Sequence, residues 1–380
     1  MSVAHLSSIS KSATPVGFDS QQMLTDLAGF FDERQQAMTF YFGSAGASAS
    51  SHEQEDCRLR SLISHGQSTV PGAETDLELL RSLESEIRLH PRLFRAVFAS
   101  SKHELRHYIV LPVATDVGVL HFGRHFELLQ LMRALEASQP YAVFLVENGK
   151  ARVLKARGHA IEECEELRQE ADIGLHPHNE REGWPHRVDA NAEERVDRFL
   201  RQFAENARDY LWSIGGRQVV VGCRNAVWNK LQAEFARIGV NKTDRFHLTG
   251  FGMTLPEVLR LASAVHYRLQ ELGYKAFWNT LSADAGHAST DIEEILKHLQ
   301  QGRVRQLFLG VVPECERMEC PSCDSWYPVG TAICINCKNT VYATPVAELI
   351  VRKALQTGVE IIAPPPERLH GMQTGALLRY

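Results

Sequence analysis

Residues 320–337 read CPSCDSWYPVGTAICINC, and this stretch decides how the C-terminal third of the chain is interpreted. It contains two CxxC pairs that are separated by ten residues. Two such pairs on tight turns can place four thiolates around one Zn²⁺ ion, at about 2.3 Å from the metal. We therefore predict a structural zinc ion in a zinc ribbon at residues 318–340. The predicted ligands are Cys320, Cys323, Cys334 and Cys337.

A complete set of four protein ligands leaves no open coordination position, so we expect this zinc ion to be structural and not catalytic. The alternative is a pair of redox CxxC motifs. A thioredoxin-like motif normally starts a helix, whereas these pairs lie in turn-like sequence. Cys315 lies five residues upstream and is interpreted as a spectator.

The segments on either side of the cysteines predict the third domain, residues 273–380. RQLFLGVV is typical of a buried strand, VAELIVRKALQTGV of a helix closed by Gly358, and EIIAP of the next strand. A helix over STDIEEILKHLQQGRV precedes them, with Ser289 or Thr290 as its expected cap. This order predicts an α/β/α sandwich with a zinc knuckle inserted after a strand.

Two further domains are predicted upstream, which makes the chain a multidomain α/β protein. Residues 20–138 alternate helical and strand patterns and predict an α+β domain, in which Thr75 or Asp76 caps a helix. Residues 139–272 begin with YAVFLVENGKARVLKARG, two apolar runs around an Asn-Gly turn that indicate a hairpin. A long helix over AEERVDRFLRQFAENARDYLW follows a polar loop. Residues 1–19 are Ser-rich and are expected to form a disordered tail.

The composition limits the classes of partner. The formal net charge is −5, which argues against a protein that holds nucleic acid by bulk charge but leaves room for a local basic face. We expect no DNA partner. No apolar run approaches the ~18 residues of a membrane span, so no membrane partner is expected. Scattered thiols in a chain without an apparent export signal are typical of the cytoplasm.

The C-terminal segment resembles a known family. The ending MQTGALLRY, preceded by VAELIVRKALQTGVEIIAP and a four-cysteine insert, is similar to the C-terminal domain of archaeal and eukaryotic class-1 peptide-chain release factors. These factors end in a similar run, here Gly375 to Tyr380. The hairpin and the long helix resemble their middle domain, which implies an RNase H-like fold. The best match is the bacterial, Pelota-like branch that includes Balon-type ribosome hibernation factors.

One departure from the family changes the expected function. Release factors carry Gly-Gly-Gln on the middle-domain loop between the hairpin and the long helix, and the sequence contains no such tripeptide. Gly215-Gly216-Arg217-Gln218 lies after the helix and is interpreted as a turn. The loop instead carries cationic and aromatic residues that could contact phosphates and stack on a base. These candidate RNA-binding residues are His176, His178, Arg181, Trp184, His186 and Arg187.

Three other interpretations of this loop stay open: a solvated loop, a metal site at His176 and His178, and a catalytic loop. The main hypothesis is a non-catalytic factor that binds the ribosomal A site in hibernation or protection, with ribosomal RNA and tRNA as contacts. The alternative is a ribosome-rescue peptidyl-tRNA hydrolase or tRNA endonuclease that acts through the loop. The resemblance also implies that the third domain contacts a translational GTPase such as elongation factor Tu.

Overall fold

The computed structural model describes residues 19–44, 50–69, 72–90, 93–147, 149–164, 169–170, 185–283 and 286–379. The chain is a multidomain protein of mixed α/β class, as the sequence predicted. It divides into two compact units. One unit combines residues 1–137 with residues 279–380, and the other consists of residues 138–278.

The N-terminal segment contains an antiparallel four-stranded sheet with helices on both faces. The strand order is β3-β2-β1-β4. Its elements are α1 (Asp19–Gly29), β1 (Ala37–Gly43), α2 (Ser50–Thr69), α3 (Glu74–Leu89), β2 (Phe94–Ser100), a 3₁₀ turn (Ser101–His103), β3 (Leu105–Leu111), β4 (Val117–Gly123) and α4 (Leu129–Ala137).

The alternation of β1 explains why both faces of this sheet are covered. Successive side chains of a strand point to opposite faces. Met38, Phe40 and Phe42 pack with the apolar side of α2 and α3. Tyr41 points to the opposite face, where it joins the core that contains residues of α1 and α4. Every residue of β1 is buried, so the strand lies between two helical layers.

The middle unit is built around a six-stranded sheet. Strands β10, β9 and β5 run parallel, and β6 and β7 continue the sheet antiparallel. The elements are β5 (Pro140–Glu147), β6 (Lys150–Arg157), β7 (Ala160–Glu163), β8 (Gln169–Glu170), α5 (Pro185–Ser213), β9 (Val219–Cys223), α6 (Asn225–Arg237), β10 (Thr243–His247) and α7 (Leu255–Ala283).

Helices cover both faces of the middle sheet. Phe144 of β5 and Val221 of β9 lie on the face that packs against α5 and α6. Val143 and Val220 lie on the other face, against α7. The predicted hairpin is confirmed, because β5 pairs with β6 along its whole length from Pro140 to Glu147.

The C-terminal segment contains a four-stranded sheet of order β11-β17-β12-β16 and a separate three-stranded ribbon of order β14-β13-β15. The elements are β11 (Ala288–Ser289), α8 (Ile292–Gln300), β12 (Val304–Phe308), β13 (Glu316–Glu319), β14 (Trp326–Tyr327), β15 (Tyr342–Pro345), α9 (Val346–Gln356), β16 (Glu360–Ile362), a 3₁₀ turn (Pro366–Arg368) and β17 (Gly375–Leu378). The ribbon is inserted between β12 and α9, which is the position predicted from the sequence.

The N-terminal and C-terminal segments share one hydrophobic core. Helix α9 packs against α1, α4 and α8. Tyr41 and Phe98 of the N-terminal sheet belong to the same cluster of buried side chains as Leu349 and Ile350 of α9. The division into three domains, residues 20–138, 139–272 and 273–380, remains a prediction. The structure adds that the first and third segments are packed together in one unit.

A carboxylate from α9 caps a helix of the N-terminal segment. Glu348 accepts hydrogen bonds from the backbone N–H of Leu128, at 2.6 Å, and of Leu129, at 3.2 Å. These groups lie at the start of α4, where backbone N–H groups have no partner within the helix. The cap therefore joins sequence positions more than 200 residues apart.

Three predicted element boundaries differ from the structure. The cap of α8 is Asp291, which accepts from the backbone N–H of Glu294 at 3.0 Å, and not Ser289 or Thr290. The cap of α3 is Ala73, which lies two residues before Thr75 and three before Asp76, the two predicted caps. Helix α7 continues past Gly273, the expected domain boundary, because a helical glycine weakens a helix by only about 1 kcal/mol.

Candidate metal centre and the predicted RNA loop

The two CxxC pairs adopt the same backbone conformation. After the first pair, the N–H of Asp324 donates to the carbonyl of Cys320 at 2.9 Å. After the second pair, the N–H of Lys338 donates to the carbonyl of Cys334 at 3.0 Å. Asp324 has φ 58° and Lys338 has φ 65°, so the chain turns through the left-handed region at the same position of each pair. The region is unfavourable for residues with a side chain, which indicates that the fold imposes both turns.

This repeated conformation brings four sulfur atoms together. The Sγ atoms of Cys320 and Cys337 are 3.3 Å apart, and so are those of Cys323 and Cys334. All four Sγ atoms lie within 4.8 Å of one another. A tetrahedral ion with metal–sulfur bonds of about 2.3 Å needs sulfur–sulfur separations of about 3.8 Å. The cluster therefore fits one four-coordinate metal ion.

Polar side chains outside the ligand set connect the two turns. Asn336 donates to the Ser325 hydroxyl at 2.8 Å, and Asn339 donates to the Ser322 hydroxyl at 2.7 Å. The Tyr327 hydroxyl lies 3.2 Å from the Cys334 sulfur. Groups of this kind orient metal ligands. The spacing of the cysteines did not identify these polar side chains. The similar tripeptides at the ends of the two pairs, Cys323-Asp324-Ser325 and Cys337-Lys338-Asn339, were a sequence signal that could have indicated them.

Glu319, directly before the first ligand, attaches the cysteine turns to α9. Its side chain is 2% exposed and pairs with Arg352, and Lys353 Nζ lies 3.2 Å from its carboxylate. Burial acts to raise the pKa of Glu319, but the charges of Arg352 and Lys353 outweigh it and lower the pKa to about 2. Lys353 also reaches Asp324 at 2.7 Å, so one ammonium group bridges β13 and the first turn.

His125 adds the N-terminal segment to this charge cluster. Its Nδ1 lies 2.9 Å from an Arg352 nitrogen, and its Nε2 lies 3.6 Å from the Glu319 carboxylate. Burial and the neighbouring Arg352 charge lower the pKa of His125 to about 4, so the imidazole is neutral at physiological pH. The metal cluster is thus anchored to both segments of its unit.

Cys315 takes no part in the metal cluster among the described residues, as expected. Its sulfur lies 4.0 Å from a nitrogen of Arg317. The two CxxC pairs lie in turns and not at the start of a helix, which agrees with the metal interpretation.

The candidate RNA loop lies mostly outside the described residues. His176, His178, Arg181 and Trp184 are among the residues that the structure does not describe. His186 and Arg187 fall in the first turn of α5, which begins at Pro185 and so starts earlier than the predicted Ala192. The structure gives their backbone alone. Whether the six side chains meet at one surface therefore stays a prediction.

The sequence Gly215-Gly216-Arg217-Gln218 forms the predicted turn. Gly215 follows the end of α5 and has φ 63°. The N–H of Gly216 donates to the Leu211 carbonyl at 2.9 Å. A Cβ atom on Gly216 would lie 3.1 Å from the Pro140 carbonyl oxygen. Both glycines are thus explained by the connection between α5 and β9.

A family model matches the middle of the chain. Residues 127–242 match the model of bacterial archaeo-eukaryotic release factor family 10. This segment includes α4, the hairpin of β5 and β6, α5, β9 and α6. This segment of the chain is similar to the release factor family that the model describes. The match agrees with the family resemblance that the sequence predicted for the middle domain.

Solved structures of release factor relatives are similar to this chain at low identity. The archaeal translation termination factor aRF1 is 16% identical, with 94% of this chain and 96% of that chain covered and a TM-score of 0.23. Dom34 of S. cerevisiae, a translation termination-like factor, is 10% identical, with coverages of 76% and 80% and a TM-score of 0.39.

Archaeal Pelota, bound to the ribosome with ABCE1, is 11% identical, with coverages of 76% and 78% and a TM-score of 0.37. All three TM-scores are below 0.5, so the similarity to release factors depends on the sequence match of residues 127–242. A comparison with curated proteins gives no match. In the part of the chain that the structure describes, no helix has both the length and the apolar character of a membrane span.

Proposed function

We propose that this protein is a ribosome-binding translation factor of the release factor superfamily that acts in hibernation or protection without hydrolysing peptidyl-tRNA. The family match over residues 127–242 carries this proposal. The sequence between the hairpin and α5 lacks the Gly-Gly-Gln tripeptide that the family resemblance led us to expect there. The ribosomal A site, reached in the cytoplasm, is the proposed binding position.

The metal in the cysteine cluster is proposed to be Zn²⁺. The four sulfur atoms lie on two tight turns and match the tetrahedral set that zinc prefers. When bound, the ion would cross-link the two turns and stabilise the ribbon. Because the four cysteines fill the coordination sphere, the metal has no proposed role in a reaction.

Co-sedimentation tests the ribosome proposal. The tagged full-length chain is expressed in cells that are growing, starved or cold-stressed, and ribosomal fractions are probed. We expect co-migration with ribosomes after stress, and no release of peptide from purified peptidyl-tRNA complexes. Absence from ribosomal fractions under every condition would contradict the proposal.

The same complexes test the alternative of a rescue enzyme. If the chain releases the peptide or cuts the tRNA, the variants His178→Ala, His186→Ala and Arg187→Ala identify whether the loop is responsible. Loss of the reaction in these variants would replace the hibernation proposal with the rescue enzyme. Processing that persists in all three would exclude chemistry through this loop.

A translational GTPase such as elongation factor Tu is the proposed protein partner, and tRNA is a proposed contact. The test is ribosome binding in the presence of purified elongation factor Tu and of A-site tRNA. We expect elongation factor Tu to increase ribosome binding of this protein. We expect A-site tRNA to compete with this protein for the ribosome. Binding that A-site tRNA leaves unchanged would contradict the proposed position.

A further inference from the structure

Three arginines lie together at one end of the C-terminal sheet. Arg303 precedes β12, Arg305 lies within it, and Arg379 follows β17. The backbone N–H of Arg379 donates to the Arg303 carbonyl at 2.7 Å, and Nε of Arg379 donates to the Val304 carbonyl at 3.1 Å. These bonds hold the two chain segments side by side. The three residues are called the arginine patch.

A β-bulge places Arg305 in this patch. Val304 pairs with Leu378 and Gln306 pairs with Leu377, so Arg305 has no counterpart on β17. A bulge re-aims the extra residue and interrupts the regular alternation of the strand. Arg305 is exposed, although β12 lies inside its sheet between β17 and β16. Arg305 is thus an unpaired and exposed position within β12.

The surroundings of the arginine patch add further positive charge. The N–H of Arg303 donates to the His298 carbonyl at 2.9 Å, which joins the patch to the last turn of α8. That turn also carries the exposed Lys297. Cations at the end of a helix complement its dipole, so Lys297 also has a structural reason to be there.

Arg305 and Arg379 are not neutralised by a carboxylate of the described chain. Both are exposed, and neither forms an ion pair with any residue that the structure describes. On the neighbouring strand β16, Glu360 accepts from the side-chain amide of Gln306 at 2.6 Å.

We propose that the arginine patch binds the phosphate backbone of RNA. Guanidinium groups match phosphate geometry and stay charged at every physiological pH. The chain as a whole has a formal net charge of −5, so the attraction has to be local. The proposal depends on the proposed ribosome association for its biological setting. It names a contact surface in the C-terminal segment, separate from the middle-domain loop.

The salt dependence of RNA binding tests this proposal. Affinity of the full-length protein for a labelled single-stranded RNA of mixed sequence is measured between about 50 and 200 mM salt, because each neutralised phosphate adds about 0.7 to the slope. The double variant Arg305→Gln/Arg379→Gln is expected to lower the slope by about 1.4. At the upper salt concentration the two proteins should differ less than at the lower one.

Two further variants control for net charge and for folding. Arg81→Gln/Arg106→Gln removes the same charge from two exposed arginines of the N-terminal segment and should leave the slope unchanged. Arg305→Lys/Arg379→Lys keeps both charges and should keep the slope. An unchanged slope in the glutamine variant of the patch, or an equal fall in the Arg81 and Arg106 control, would overturn the proposal.

Two additional measurements separate this proposal from its alternatives. Tighter binding of a polyglutamate peptide than of RNA with equal charge would assign the arginine patch to an acidic protein segment and overturn the proposal. Ribosome co-sedimentation of the same variants separates a failure of the arginine patch proposal from a failure of the proposed function. A wild-type chain that binds RNA through the patch but never reaches ribosomes would support the patch and contradict the proposed function.

Discussion

Glu348 is the residue whose protonation is most directly linked to packing. Burial is the largest effect on its carboxyl group and raises the pKa from 4.5 to about 7, although hydrogen bonds from Leu128 and Leu129 oppose the shift. At pH values between 4.5 and about 7, the folded protein binds more protons at Glu348 than the unfolded chain does. The stabilising contribution is therefore present in full below about pH 4.5 and is lost as the pH rises through 7.

Replacing Glu348 by Gln should remove this pH dependence while keeping an acceptor for the α4 backbone. The free energy of unfolding of Glu348→Gln, relative to the wild type, is expected to increase by about 1–3 kcal/mol between pH 5 and pH 8. Urea denaturation at the two pH values measures the difference. The same difference at both pH values would show that Glu348 is not the titrating group.

The residue-scale features were only partly predictable. The spacing of the cysteines is local, so the sequence could identify a metal cluster before any fold was known. The pairing of Glu348 with α4 depends on chain segments far apart, and no local pattern contains it. The cap of α8 was missed by one or two residues because Ser289, Thr290 and Asp291 are all good capping residues, and only the backbone geometry selects Asp291.

At the scale of the element, the ribbon of β13, β14 and β15 is too small to have a substantial core. Its own apolar cluster contains only Cys320, Cys334 and Val341 as buried residues. We expect a short insert of this kind to depend on a bound metal ion for its stability. Because Glu319 connects the ribbon to α9, loss of the metal should also destabilise the rest of the unit.

Cys334→Ser should therefore reduce bound zinc from about one equivalent to well below that, and lower the melting temperature of the unit. Metal content by mass spectrometry and thermal unfolding measure the two effects. Cys315→Ser is the matched control, because Cys315 lies outside the cluster. Full zinc content in Cys334→Ser would contradict the ligand assignment. A folded Cys334→Ser protein with a selective loss of function at the middle-domain loop would contradict a purely structural role.

At the scale of the whole molecule, the shared core of the N-terminal and C-terminal segments is the feature that sequence reasoning missed. Apolar periodicity predicted most helices and strands of these segments separately, but not the short strands β11, β13, β14, β15 and β17. It shows which face of an element is buried but not which other element covers it. The covering of α1 and α4 by α9 therefore required the structure.

Leu349→Ala tests whether this unit unfolds as one. Leu349 is fully buried in the shared core, so its truncation should cost about 2–5 kcal/mol. Hydrogen exchange should increase in α1 and β1 as much as in β12 and β17. Leu272→Ala, at an exposed position of α7, is the control. Faster exchange confined to residues 286–379 would show that the two segments are separately stable.

The position of β17 between β11 and β12 has a consequence for synthesis. Residues 375–378 are translated after the other three strands of this sheet, yet β17 lies inside the sheet and not at its edge. The face that carries Tyr41 and Phe98 is covered only in part, by α1 and α4, until more than two hundred further residues have been added and α9 has been made. At 5–20 residues per second this delay is on the order of ten seconds or more. Nascent chains that stall before α9 would expose this apolar face and should depend on chaperones.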